Sequence, residues 1–116
     1  MTVFVACLSS GKGTWGHVAR LLQEPWDKAI VFTNDFGKEH FTPPENVEVV
    51  LIDTKMGIEN LVKEYAAALQ HKLRGDVAVN FVSGSGKEHM ALLAALLKLG
   101  VGIRLVALTK DGMKEL

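Results

Sequence analysis

Two stretches of this chain combine small residues, hydroxyls and a lysine: Ser9-Ser10-Gly11-Lys12-Gly13-Thr14 and Ser83-Gly84-Ser85-Gly86-Lys87. Small residues let backbone amides approach a ligand, a helix that follows supplies unsatisfied N–H groups, and lysine adds a full positive charge. Together these suit an anion such as a phosphate. Ser9, Ser10, Lys12, Thr14, Ser83, Ser85 and Lys87 are therefore the candidate ligand-binding side chains, with Gly11, Gly84 and Gly86 as the points where the backbone itself can come close.

Neither loop is a Walker A motif. That pattern places a glycine about five residues before its Gly-Lys pair and a Ser or Thr after it. Here Ala6 and Phe81 precede, and Gly13 and Glu88 follow, so the lysine geometry and the magnesium hydroxyl are lost together. Gly11, Gly13 and Gly16 match the letters of a dinucleotide fingerprint, but the acidic residue that should grip the ribose would be Asp35, past the second strand. The stretch around Gly84-Ser85-Gly86 resembles but does not match the Gly-x-Ser-x-Gly nucleophile elbow, which argues against Ser-His-acid hydrolysis. Four histidines, His17, His40, His71 and His89, and one cysteine show no metal-ligand spacing, so no metal or cofactor is expected. His17 and His89 each follow one of the two loops into a helix, near any bound anion; His40 is a candidate pocket rim and His71 a solvated residue near a helix end. Cys7 sits within the apolar run VFVACL and reads as core.

The elements that must position these loops follow from periodicity. Thr2 to Leu8, Lys28 to Thr33, Val47 to Ile52, Val77 to Val82 and Ile103 to Leu108 are apolar runs without helical spacing, as strands buried on both faces of a parallel sheet are. Apolar residues at three- and four-residue spacing predict helices over Thr14 to Gln23 and Met56 to Leu73, and a third through Met90 to Leu97 that stops at Gly100. Strands alternating with helices indicate an α/β fold: a Rossmann-like three-layer sandwich with a mainly parallel five-stranded sheet in the order 3-2-1-4-5. In that order strands 1 and 4 are neighbours whose outgoing helices leave on opposite faces, so the two glycine-serine-lysine loops flank the topological switch point.

The tetrapeptide Gly-Lys-Glu-His occurs twice, at Gly37–His40 and Gly86–His89. The second copy opens a predicted helix, whereas the first enters an irregular segment bounded by Pro43-Pro44, so the repeat is read as chance.

With 116 residues, 48% hydrophobic and 22% charged, the chain is expected to form one domain over residues 1–116 with a core that holds without disulfides. Zero net charge argues against broad binding to duplex nucleic acid or a membrane surface. No signal peptide or spanning segment is visible, and a cytoplasmic location is expected.

The stretch NFVSGSGKEHMALLAALLKLG followed by VGIRLVAL resembles the fourth-strand motif of CARF domains, the CRISPR-associated Rossmann fold, and ACLSSGKGTWGHVARLL lies where that family has its other ligand loop. The resemblance implies a homodimer that binds a cyclic oligoadenylate across its two-fold axis. It also implies a possible metal-independent ring nuclease, in which a ribose 2′-hydroxyl attacks its neighbouring phosphate while Lys87, with Ser9 or Ser10, stabilises the developing charge. The residues themselves leave two other readings open: an enzyme acting on a mononucleotide or another phosphorylated metabolite, and an interaction domain without a ligand. Met90, Ala91, Leu92, Leu93, Ala94, Ala95, Leu96 and Leu97 leave their helix no polar face, which predicts that one side is covered by a second subunit.

Overall fold

In a computed structural model describing residues 2–9 and 12–116, with the side chain of Lys12 outside the description, apolar runs become strands in the expected places. They are β1 (Val3–Leu8), β2 (Lys28–Thr33), β3 (Val47–Leu51), β4 (Asp76–Asn80), β5 (Gly102–Thr109) and β6 (Gly112–Glu115). The helices are α1 (Trp15–Leu21, entered through a 3-10 turn at Lys12–Thr14), α2 (Asp35–His40), α3 (Ile58–Leu69) and α4 (Gly86–Leu99). The strands form one sheet in the order β3-β2-β1-β4-β5-β6, parallel from β3 through β5. This is the expected Rossmann-like order, extended by an antiparallel β6.

Alternation along β1 divides the core. Val5 and Cys7 point to the face covered by α3 and α4, where they meet Ile30, Phe32, Leu61, Tyr65, Leu92 and Leu96. Phe4, Ala6 and Leu8 point to the other face and pack with Val18, Leu21 and Leu22 of the α1 region. Because both faces are covered, every β1 residue after Val3 is buried, which is why the run reads as continuous rather than alternating apolar sequence.

Two elements, β6 and α2, and the ends of β4, α1 and α3 differ from expectation. The β6 hairpin turns through Lys110-Asp111 and pairs Thr109 with Gly112, whose φ of 99° suits glycine; the Asp-Gly pair was the available turn signal. Strand β4 stops at Asn80 rather than Val82, because the Asn80 carboxamide accepts from the Val82 N–H and takes the chain off the sheet. Helix α1 ends at Leu21, its last turn tightened by Gln23 N to Arg20 O and Glu24 N to Leu21 O bonds ahead of Pro25. Helix α3 ends at Leu69: His71 turns into the left-handed region at φ 69°, and Lys72 then reaches Glu48 of β3 at 2.6 Å.

The largest correction concerns the first Gly-Lys-Glu-His. It does not lie in an irregular loop but forms the last four residues of α2, which Asn34 caps by accepting from the Gly37 N–H at 2.9 Å. The irregular segment begins after His40, ahead of Pro43-Pro44. Gly37 is required there because a Cβ would stand 1.8 Å from Thr33 Oγ1.

Candidate ligand-binding site

Strands β1 and β4 are hydrogen-bonded neighbours, with Ala6 opposite Asn80, so the loops that leave their carboxyl ends emerge side by side. Their helices depart on opposite faces of the sheet, α1 onto one core cluster and α4 onto the other. Both candidate loops thus meet at the switch point.

The loops are joined by a buried polar network. Ser9 N donates to Ser83 Oγ at 3.2 Å, and Ser83 Oγ donates back to Ser9 O at 3.1 Å, a reciprocal pair between the first loop and the second. Ser9 Oγ donates to Glu88 Oε1 at 2.8 Å. The second carboxylate oxygen of Glu88 accepts from Ser85 N at 3.0 Å, and Ser85 Oγ accepts from Glu88 N, completing a capping box at the start of α4. Glu88 is only 3% exposed. Burial first, and then the Glu88 charge, pushes the Cys7 thiol up to about 12. The Tyr65 hydroxyl is also pushed up, by burial first and then by Cys7 and Glu88.

His89 adds a further tie. Its Nε2 donates to Ser83 O at 2.7 Å, and its ring lies 5.1 Å from that of Phe81. Between them Gly84 adopts φ 105°, where a Cβ would lie 3.0 Å from His89 Nε2 and 3.1 Å from Cys7 Cβ. Lys87 is exposed, and its Nζ donates to Met56 O at 2.8 Å, bridging the start of α4 to the loop before α3. On the other side of β4, Asn80 Nδ2 donates to Val106 O at 2.8 Å, and Leu108 N donates to His17 Nε2 at 3.0 Å. His17 therefore fastens α1 to β5 through a ring nitrogen that carries no proton.

Of the predicted site residues, Ser9, Ser83, Gly84 and Ser85 are brought together in or against this network, with the exposed Gly86 and Lys87 at its rim. Thr14, half-buried, caps the start of α1 without a side-chain capping bond. Ser10, Gly11 and the side chain of Lys12 lie outside the described residues. Sequence reasoning passed over Glu88, although Ser85-Gly86-Lys87-Glu88 carries the Ser-x-x-Glu spacing of a capping box. It also passed over the cleft of about 490 Å³ past the carboxyl ends of β2 and β3, lined by Asn34, Asp35, Phe36, Leu51, Asp53 and Lys55. Phe36 in that cleft stacks on His40 with ring centroids 4.2 Å apart and meets Trp15 of α1 at 5.8 Å.

Two solved structures share the backbone fold. The chain superposes with a TM-score of 0.63 on Can2 from Sulfobacillus thermosulfidooxidans in complex with cyclic tetra-adenylate, at 13% identity over 96% of this chain and 33% of that one. It superposes with a TM-score of 0.58 on Csm6 from Enterococcus italicus bound to cyclic hexa-2′-fluoro-hexa-dAMP, again at 13% identity, over 95% of this chain and 34% of that one. This likeness is one of fold: a Rossmann-like α/β sheet with flanking helices. The chain spans about a third of the length of these neighbours. No family model and no curated protein matches it in sequence. At this identity the likeness is one of backbone, so the chemistry of the crevice must be argued from the side chains above.

Proposed function

We propose that this chain binds a cyclic oligoadenylate in the β1/β4 crevice, across the two-fold axis of a homodimer. The observation that carries the reading is the joining of the two loops at the switch point of a fold whose solved neighbours hold cyclic tetra-adenylate and a cyclic hexanucleotide analogue. A cyclic ligand with repeating phosphates suits paired copies of one crevice, because each subunit offers the same donors to a symmetry-related part of the ring. Lys87 supplies the charge in the second loop by exchanging its single carbonyl partner, Met56 O, for a phosphate oxygen. Ser10, Gly11, Lys12 and Thr14 complete the first loop's share, and Ser85, Gly84 and Gly86 the second's.

The dimer reading is supported by α4. Ala91, Leu92, Ala95 and Leu96 are buried within the subunit, while Met90 and Leu97, seven residues apart on one stripe, are 62% and 64% exposed. A second copy of the chain is the proposed cover. If the bound ring is cleaved, the reaction needs no metal: the 2′-hydroxyl gives up its proton to solvent as its oxygen attacks the adjacent phosphorus, the bond to the 5′-oxygen breaks and that oxygen takes up a proton, and Lys87, with Ser10, stabilises the added negative charge. Ser9, whose hydroxyl is spent on Glu88, holds the loop in place. We place this activity in the cytoplasm, in a one-domain unit of residues 1–116.

Calorimetry with cyclic tetra-adenylate and cyclic hexa-adenylate tests the binding reading. Saturable binding of either, at one ring per two chains, is expected. Absence of binding by both would overturn it and favour a mononucleotide or ligand-free role. Incubation of the ring with the protein in chelator, followed by mass spectrometry for a linear product ending in a 2′,3′-cyclic phosphate, tests cleavage.

A further inference from the structure

Glu88 holds more than a helix end. A capping-box glutamate ordinarily satisfies one backbone N–H at its own N-cap and leaves its other oxygen to solvent. Here the second oxygen is buried and spent on Ser9, 79 positions away, in the other loop. Among the described residues no Lys or Arg pairs with this carboxylate, so it is held by hydrogen bonds from the two loops it joins. Burying a carboxylate without a cation is costly unless its lone pairs are filled, and loss of either loop's donor would leave it unsatisfied.

We propose that Glu88 is the positioning residue of the crevice, setting the register of the β1–α1 loop against the β4–α4 loop. The proposal rests on the binding reading above only for its consequence, since a crevice built from two loops binds a ring more tightly when their spacing is fixed beforehand. Ser9 and Ser83 then serve the crevice by construction: their hydroxyls and backbone are engaged across the loop junction, and the donors left for a ligand are those around them. Glutamine can replace glutamate in a capping box, and its amide can donate to Ser9 Oγ where the carboxylate accepted. The bridge therefore needs a planar two-ended side chain at this position rather than a charge.

Hydrogen exchange read by mass spectrometry on the unliganded protein separates this role from plain helix capping. In Glu88→Ala, exchange should rise about tenfold both in residues 85–89 and in residues 9–16, the scale of one lost buried hydrogen bond. Ser85→Ala, which removes the cap but not the bridge, should speed 85–89 alone. Ser9→Ala should speed 9–16 while leaving 85–89 near wild type, and it serves as the second probe if Glu88→Ala does not fold. Glu88→Gln should restore both segments and the wild-type affinity for cyclic tetra-adenylate, whereas Glu88→Ala should lose about tenfold in that affinity. Unchanged exchange of 9–16 in Ser9→Ala, or a Glu88→Ala profile identical to that of Ser85→Ala, would overturn the proposal. Failure of the wild type to bind the ring would overturn the binding reading instead, and the exchange results would still decide the role of Glu88.

Discussion

Lys87 and Lys38 stand at the same place in the two Gly-Lys-Glu-His copies, yet their settings differ. Lys87 lies at the first turn of α4 beside the joined loops, with Nζ on Met56 O, whereas Lys38 sits in the short α2 that follows β2. A charge-assisted hydrogen bond to phosphate contributes about 1.5–3 kcal/mol, so Lys87→Ala should weaken a cyclic oligoadenylate about tenfold or more, and Lys38→Ala should leave it near wild type. Titration calorimetry of both variants checks this, and equal losses would place the two lysines in one pocket. Cys7 gives an independent residue-scale test. Its buried thiol, pushed up to about 12, should resist iodoacetamide at pH 8 in the folded protein and react once the chain is unfolded in guanidinium. Rapid native labelling would show that the loop junction above it opens. The histidines of the two copies also settle into local roles: His40 Nδ1 lies 2.8 Å from Phe36 O within its own helix, and His89 Nε2 reaches Ser83 O across its loop.

At the scale of elements, the strand-to-helix turns carry the constraint. The β4–α4 turn needs the left-handed Gly84, wedged between His89 and Cys7, so Gly84→Ala combines backbone strain with a close contact. We expect a loss of about 1–3 kcal/mol in chemical denaturation, with the first turn of α4 affected most. Helix α4 shows why composition did not reveal its faces. Its residues from Met90 to Leu97 are all apolar, yet packing against the sheet and α3 buries Leu92 and Leu96 while leaving Met90 and Leu97 outside. Leu92→Ala should therefore cost about 2–5 kcal/mol by opening a cavity. Leu97→Glu should leave the fold intact and convert a dimer to a monomer in sedimentation velocity. A dimer that survives this change would put the interface elsewhere.

For the whole molecule, charge is balanced overall but organised at the end of the sheet opposite the crevice. Glu48 on β3 pairs with Lys28 of β2 at 3.0 Å and with Lys72 at 2.6 Å. Its carboxyl is held below the usual carboxylate range by the Lys72 bond first and the Lys28 bond second. Because the folded value is the lower one, this stabilisation is fully present above the unfolded value near 4.5 and is lost as pH falls through the folded value. The side chain is about a third exposed, so Glu48→Gln should lower stability by less than about 1 kcal/mol at neutral pH. The difference from wild type should shrink below pH 4.5, as thermal melts across that range would show.

The order of the five parallel strands and of α1, α3 and α4 was legible in the sequence, because strands buried on both faces must be apolar throughout and the helices between them must return on a three- and four-residue stripe. Their order in the sheet follows from right-handed crossovers, which place β1 beside β4 and the two glycine-serine-lysine loops together. Local hydrogen bonds that compete with periodicity were harder to read: Asn34 capping α2, Asn80 ending β4, and His71 turning the chain out of α3. What tertiary structure decided was the partnership across the crevice. Ser9 lies 74 positions from Ser83 and 79 from Glu88, and no local pattern announces that it shares a buried network with them. Only the pairing of β1 with β4 brings their donors and acceptors within hydrogen-bonding distance, and a buried carboxylate takes whichever donors the fold delivers to it.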